Sequence, residues 1–264
     1  LGGRGVALSS LIHGMREGVE DGLFLCTTCG LCGEVCPVGI DAGKRLKDLR
    51  RLSLRSPEVS SELDEVTQLQ STIDRFGTPY GEMERTPLPS LKKKGPVVLY
   101  SGCVGLTTEV ESTVRMIELL QRLGVDFTVI DEVCCEAVKG DTGSSPNPER
   151  IKQNIERIKE AGGHEVLFLC PTCLKTFLEY DERHPTGLVF ETLLSYLRKH
   201  FSFISSEDNP ATITYHDPCH LGRGLGSFDG ARELLKNVGT KFVEMEHHHR
   251  ESLCCGAGGG MRGF

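Results

Sequence analysis

Twelve cysteines carry the chemistry available to this chain: Cys26, Cys29, Cys32, Cys36, Cys103, Cys134, Cys135, Cys170, Cys173, Cys219, Cys254 and Cys255. The first four fall in Cys26-Thr27-Thr28-Cys29-Gly30-Leu31-Cys32-Gly33-Glu34-Val35-Cys36-Pro37. This is a C-x2-C-x2-C-x3-C-P run, the spacing that holds a [4Fe–4S] cubane. Its two-residue gaps let a tight loop aim three sulfurs at three irons of one cube. Gly30 and Gly33 permit close backbone approach and unusual dihedrals. Zinc typically gathers its four ligands as two separated pairs, which this run does not resemble. In two-cluster ferredoxins the fourth cysteine of such a run serves the other cluster. By that rule Cys36 belongs to a second cluster with its own run. Closure of the same cluster by Cys36 through a different loop is the alternative. The chain opens at Leu1 rather than Met, so we expect that second run upstream.

A second constellation is Cys103, then Cys134-Cys135, then Cys170-Pro171-Thr172-Cys173. Vicinal thiolates sit too close to reach separate corners of an ordinary cube comfortably, and five sulfurs exceed what a cube needs. An unusual cluster is the leading reading. Structural zinc, a cubane on four of the five, and buried unliganded cysteines stand beside it. A third set, Cys219 with Cys254-Cys255, repeats the single-then-pair order: Cys219 follows Cys103 by 116 residues and Cys254 follows Cys134 by 120. A second C-x2-C pair would fall beyond Phe264, so the second set is expected to be incomplete here.

Elements that could deliver these thiols are legible. A short helix is expected over 6–20 and a charged helix over 42–54. Lys44, Arg45, Lys47, Arg50 and Arg51 read as its solvated face, with a docking patch for an acidic partner as the alternative. The polar, Pro-containing stretch 56–94 reads as helix followed by linker. Beyond it, Val97-Val98-Leu99-Tyr100, residues 126–130 and Val166-Leu167-Phe168-Leu169 read as strands. They alternate with amphipathic helices over 109–123 and from Pro148 to Gly162. Strand 212–215, a helix near 231–238 and strand 241–245 begin the pattern again. Alternation of this kind predicts an α/β fold with mainly parallel sheets, and it puts the cysteines just past strand ends, where such sheets place their sites.

The stretches Ser101-Gly102-Cys103, Cys134-Cys135, Cys170-Pro171-Thr172-Cys173, His216-Asp217-Pro218-Cys219-His220-Leu221-Gly222-Arg223 and Cys254-Cys255-Gly256-Ala257-Gly258-Gly259-Gly260 resemble the CCG cysteine-rich domain of heterodisulfide reductase catalytic subunits. The iron–sulfur subunits of glycolate and lactate oxidation carry the same module. A ferredoxin-like domain ahead of CCG repeats resembles the D-type polypeptide of that reductase. The resemblance implies a ferredoxin-like domain over 1–55, a linker over 56–94, a first CCG domain over 95–205 and a second over 206–264. It also implies that a complete CCG set holds a noncubane [4Fe–4S] cluster where disulfide chemistry occurs. Glu136 departs from the pattern by standing where glycine is expected, which alters the turn or leaves a carboxylate beside the cluster.

Two functions follow from the resemblance. In the first, an oxidoreductase subunit passes electrons from the cubane at Cys26, Cys29, Cys32 and Cys36 to the noncubane cluster of Cys103, Cys134, Cys135, Cys170 and Cys173. That cluster reduces or forms a small-molecule disulfide, a two-electron change fed by one-electron carriers. His216 and His220 flank Cys219 and can protonate a departing thiolate; a structural role beside a cluster is the alternative. In the second, the chain relays electrons between a flavoprotein dehydrogenase and a quinone or membrane cytochrome module. Both imply a multi-subunit complex.

Bulk properties exclude other classes. At 264 residues and 38% hydrophobic, the chain can build a core, unlike the small secreted domains in which disulfides are dense. A net charge of −7 argues against nucleic acid as a partner. No stretch approaches the roughly 18 apolar residues of a membrane span. We expect a cytoplasmic protein that reaches the inner face of a membrane through a partner. His247-His248-His249 reads as a polar loop, and Gly256–Gly260 as close backbone approach to a cluster, not a nucleotide loop.

Overall fold

The computed structural model describes residues 23–55, 64–82, 88–89, 91–202, 211–237 and 241–260. The helix expected over 6–20 lies outside them. Four strands, β1 (Val97–Tyr100), β2 (Phe127–Val129), β3 (Glu165–Phe168) and β4 (Val189–Thr192), form one sheet in the order β2-β1-β3-β4. All pairings are parallel, in the registers Val97↔Phe127, Val97↔Glu165 and Glu165↔Val189. The α/β fold with parallel strands is therefore as expected. β5 (Thr212–Ile213) and β6 (Lys241–Phe242) pair in parallel as a second, two-stranded sheet with Thr212↔Lys241. Its β5–β6 pairing repeats that of β1 with β2.

A parallel sheet covered by crossover helices needs apolar residues on both faces, and β1 supplies them by alternation. Val98 and Tyr100 join Val166, Phe168 and residues Ile151, Ile155 and Ile158 on one face. Val97 and Leu99 join Leu167, Ile117 and Leu120 on the other. The helices concerned are α5 (Val110–Arg122) and α7 (Pro148–Glu160). Asn147 starts α7 by accepting the Glu149 amide at 3.0 Å, with Pro148 in the first turn; both are standard helix-start chemistry. The rings of Tyr100, Phe168 and Phe177 pack with centroids 5.0–5.1 Å apart. Phe177 lies on α8 (Pro171–Asp181).

Several elements lacked a sequence signal: α8, α4 (Gly102–Thr107), α6 (Ala137–Asp141), β4 and α9 (Leu193–His200). α4 and α6 are six and five residues long, too short to show a helical period. α9 is capped by Thr192, which accepts the Ser195 amide at 3.0 Å.

Ahead of the sheet lie α1 (Leu31–Glu34), α2 (Ala42–Ser53) and α3 (Asp64–Phe76). Asp41 caps α2 through the Lys44 amide at 3.0 Å. Leu23, Phe24, Leu46 and Val66 form a small separate core. Arg50 corrects the sequence reading, because it is fully buried and not on a solvated face. Its guanidinium donates to the carbonyls of Leu23, Cys26 and Asp141 at 2.5–3.0 Å and to Gly259 at 3.5 Å. Five donors in a rigid fork can satisfy carbonyls of a looping backbone that lacks ladder partners.

Candidate iron–sulfur site

In a sheet ordered β2-β1-β3-β4, the chain reverses direction between β1 and β3, and ligand crevices open there at the carboxyl ends of the strands. Cys103 lies three residues past β1 and Cys170 two past β3. The Cys134-Cys135 pair follows β2, so three strand ends deliver five thiols to one place. Cys135 Sγ and Cys173 Sγ are 3.2 Å apart. Cys103 is within hydrogen-bonding reach of Cys134, as Cys170 is of Cys173. Cys134, Cys135 and Cys173 are buried, whereas Cys103 and Cys170 are partly open.

Buried polar groups fix this geometry. Asn154 receives the Val133 amide at 2.9 Å and returns its own amide to the Val133 carbonyl at 2.9 Å. Tyr100 Oη donates to the same carbonyl at 2.7 Å. The residue preceding the vicinal pair is thus clamped on both polar groups. Glu132 accepts the Gly102 amide at 2.9 Å and sets the turn into Cys103. Gly102 has φ 77°, and a Cβ there would lie 3.2 Å from Cys170 Cβ and 3.4 Å from Cys173 Sγ.

Glu136 is fully buried in the left-handed conformation at φ 58°, a region that costs a non-glycine residue roughly 1–2 kcal/mol. The glycine conformation is kept, and the carboxylate is held by Arg150 Nε at 2.8 Å and the Asn147 amide. The Glu136 amide donates to Cys134 Sγ at 3.3 Å.

The thiols of this set do not titrate alike. Hydrogen bonds from Cys134 and Cys173 pull Cys135 down to about 6 against the effect of burial. A hydrogen bond from Cys173 does the same for Cys170, also to about 6. Cys173 is pushed up by its bonds to Cys135 and Cys170 and by burial. Cys103 rises through its bond to Cys134 and through burial. Five neighbouring sulfurs cannot all ionise without a multivalent cationic partner. A single tetrahedral zinc would need four sulfurs about 3.8 Å apart. Among the described residues the group whose metal-donor atoms all lie within 4.8 Å is Glu244, His248 and His249, not a cysteine set. Many thiols spread around one crevice fit an iron–sulfur group better than one ion.

In the N-terminal run, Thr28 is left-handed at φ 53° and Gly30 at 77°. The Thr28 amide donates to Cys26 Sγ at 3.4 Å. Cys36 receives amides from Ile40, Val38 and Gly39, which lower its thiol. Cys29 is held below the ordinary thiol range: burial opposes ionisation, but the Leu31 amide, Thr27, Arg223 and Cys254 outweigh it. The second set lies against this run, with Thr27 Oγ1 3.1 Å from Cys254 Sγ. Burial and the neighbouring Cys254 and Cys29 push Cys219 up to about 11. Cys255 is exposed. The Gly256–Gly260 segment does make a close approach, but to the backbone of the run. A Cβ on Gly258 would stand 2.5 Å from the Thr27 carbonyl oxygen, and one on Gly259 2.5 Å from that of Cys26.

The two candidate histidines take different places. His216 Nε2 lies 2.8 Å from the Leu253 carbonyl and ties β5 to the segment before Cys254. His220 Nδ1 hydrogen-bonds Thr172 Oγ1, between Cys170 and Cys173, and burial lowers its pKa. His220 thus bridges the second set to the first. In the triple-histidine loop, His248 and His249 face each other through Nδ1 at 2.7 Å. Their neighbour Glu244 is engaged by Arg232 at 2.6 and 2.9 Å.

Sequence reasoning missed the roles of Arg50, Arg223, Asp217 and Arg232. Asp217 and Arg232 form a buried two-pronged pair at 2.7 and 2.6 Å. Asp217 also accepts the His249 amide at 2.7 Å, and its own carbonyl accepts Ser252 Oγ at 2.9 Å. Arg223 donates from Nε to the Cys29 carbonyl at 2.8 Å and from one terminal nitrogen to the carbonyls of Ser252 and Arg250 at 2.8 and 3.0 Å. A charge inside His216–Arg223 was the available signal, but arginine on a sequence with no fixed period does not declare its partners.

Comparison with known proteins agrees with this architecture. The family model of the cysteine-rich domain matches residues 97–177 and 213–264, half of the chain. The D-type polypeptide of the dihydromethanophenazine:CoB--CoM heterodisulfide reductase of Methanosarcina mazei is 30% identical over 265 residues, covering 93% of this chain and 64% of the relative. The B-type polypeptide of the CoM/CoB fumarate reductase of Methanothermobacter marburgensis is 29% identical, covering 93% of this chain and 50% of the relative. EtfAB:quinone oxidoreductase of Syntrophomonas wolfei is 28% identical, covering 89% and 36%. The chain therefore spans under two thirds of the length of these curated relatives. No solved structure matches. No helix among the described residues is long and apolar enough to cross a membrane. With the matched stretches running through both cysteine-bearing sheets, the chain belongs to the cysteine-rich (CCG) domain family.

Proposed function

We propose that the chain works at a disulfide: Cys103, Cys134, Cys135, Cys170 and Cys173 hold a noncubane [4Fe–4S] cluster, and Cys26, Cys29, Cys32 and Cys36 serve cubane clusters. The observation that carries this reading is the convergence of five thiols at the β1–β3 crevice, with Cys135 and Cys173 at 3.2 Å. Bound there, the cluster would supply iron as a soft acceptor for substrate sulfur and a one-electron carrier for a two-electron bond. The chain's own residues supply the rest. Asn154, Tyr100 and Glu132 hold the three cysteine-bearing turns. Cys103 and Cys170 form the partly open side, from which a small disulfide can approach. His220, hydrogen-bonded to Thr172 between Cys170 and Cys173, stands beside the sulfurs at which a thiol product would form.

Partner subunits of flavoprotein or membrane-module type deliver the electrons in this reading, as the names of the relatives suggest. The kinship with EtfAB:quinone oxidoreductase favours one other reading, a relay between a flavoprotein and a quinone module with no bond-breaking of its own. A direct assay separates them. Anaerobically purified protein is supplied with a reduced viologen dye and a small-molecule disulfide. Disulfide-dependent dye oxidation that disappears in Cys173→Ala, with the N-terminal run's iron retained, supports the proposal. Dye oxidation by a quinone analogue but by no disulfide supports the relay.

A further inference from the structure

The second set of cysteines is packed against the N-terminal run, and one residue joins them. Arg223 Nε donates to the Cys29 carbonyl at 2.8 Å, and its first terminal nitrogen donates to Ser252 at 2.8 Å and Arg250 at 3.0 Å. Its second terminal nitrogen is buried without a hydrogen-bond partner, and so is Thr28 Oγ1 in the facing loop. A buried guanidinium donor left unsatisfied costs more than an unsatisfied surface donor. The thiols around it are sulfur acceptors: Cys29 and Cys219 both feel its charge, and Cys254 Sγ lies 3.1 Å from Thr27 Oγ1. The glycines of the second set make the approach possible, since a Cβ on Gly258 would collide with the Thr27 carbonyl oxygen at 2.5 Å.

We propose that Arg223 is a positioning and potential-setting residue for the cluster of the N-terminal run, clasping the run to Cys219 and Cys254 and reserving its unpartnered nitrogen for a cluster or thiolate sulfur. This rests on the reading that Cys26, Cys29 and Cys32 hold a cluster. A fixed positive charge and an N–H donor beside the sulfurs stabilise the more negative, reduced state and raise the potential. The same clasp sets the run against the second repeat, whose His220 in turn reaches Thr172 of the first set.

The test is a potentiometric titration of the run's reduced-cluster EPR signal in wild type, Arg223→Met and Arg223→Lys, with iron content measured in each. Arg223→Met should favour oxidation about tenfold, a fall near 59 mV for one electron. Arg223→Lys should recover part of the shift, because it keeps the charge and loses the fork. Gly258→Ala tests the clasp without altering charge: the added methyl pushes the run off the second set and should shift the potential in the same direction. Wild-type potentials in Arg223→Met and Gly258→Ala, with the run's iron in place, overturn the proposal. Absence of any run-bound cluster in the wild-type protein instead overturns the reading on which it rests. Equal shifts in Arg223→Met and Arg223→Lys overturn the role given to the charge.

Discussion

Gly102 shows how a single residue can decide the site. It carries φ 77°, gives its amide to Glu132, and lies against Cys170 and Cys173. Gly102→Ala must strain the backbone by about 1–2 kcal/mol and press a methyl on Cys170 Cβ and Cys173 Sγ. We expect folded protein with reduced iron in the first set, read as a lower iron-to-protein ratio with the run's EPR signal unchanged. Glu136 is the counterpart, a non-glycine residue in a glycine conformation. Its strain is offset by Arg150 and the Asn147 amide, so the departure from the family pattern changes the side chain's partners and leaves the turn intact. The sequence announced the departure but not its resolution, because Arg150 lies 14 positions on and is brought back only by α7.

At the scale of elements, the second sheet has just two short strands, and the Asp217–Arg232 pair stands in for missing strand contacts. It ties the end of β5 to α11 (Gly230–Asn237), which follows the short α10 (Gly222–Leu225), and through Glu244 to the segment after β6. Burial opposes ionisation of Asp217, but the Arg232 hydrogen bonds and the His249 amide outweigh it and hold the carboxyl below its usual range. A carboxyl lowered by folding adds stability that is fully present above its unfolded value, about 3.9, and is lost as pH falls through the folded value. Asp217→Asn should therefore cost about 2 kcal/mol at neutral pH. The gap between its urea midpoint and that of wild type should close as pH falls below about 4. A gap that stays constant through acid would show that the charge is not the stabilising feature.

Elements with long apolar periods were legible. The β1 alternation, the Ile151–Ile155–Ile158 stripe and the Val110–Leu123 pattern gave the sheet and its covering helices within a residue or three. The five first-set cysteines were legible as one group, because parallel strands must end on one side of the sheet. What escaped was short or polar: α4 and α6 lack a period, β4 is half-exposed, and arginines report a location only through partners far away in the chain.

At the scale of the whole molecule, Arg50 joins the N-terminal run to both repeats. It links the carbonyls of Leu23 and Cys26 to those of Asp141 and Gly259. Arg50→Lys keeps charge but cannot span these acceptors. It should cost about 1.5–3 kcal/mol and release the run first. Limited proteolysis should cleave near residues 23–36 while the four-stranded sheet survives. Simultaneous loss of run and sheet would mean that they fold as one cooperative body.

The central claim is that substrate sulfur meets iron held by Cys103, Cys134, Cys135, Cys170 and Cys173. The most direct measurement is EPR of the anaerobic protein, oxidised in the presence of different small thiols. A paramagnetic signal that arises only on oxidation, changes with the thiol added and vanishes in Cys173→Ala is the predicted result. Reduced-cluster signals alone, indifferent to every thiol, would contradict the claim and make the chain a conduit for electrons.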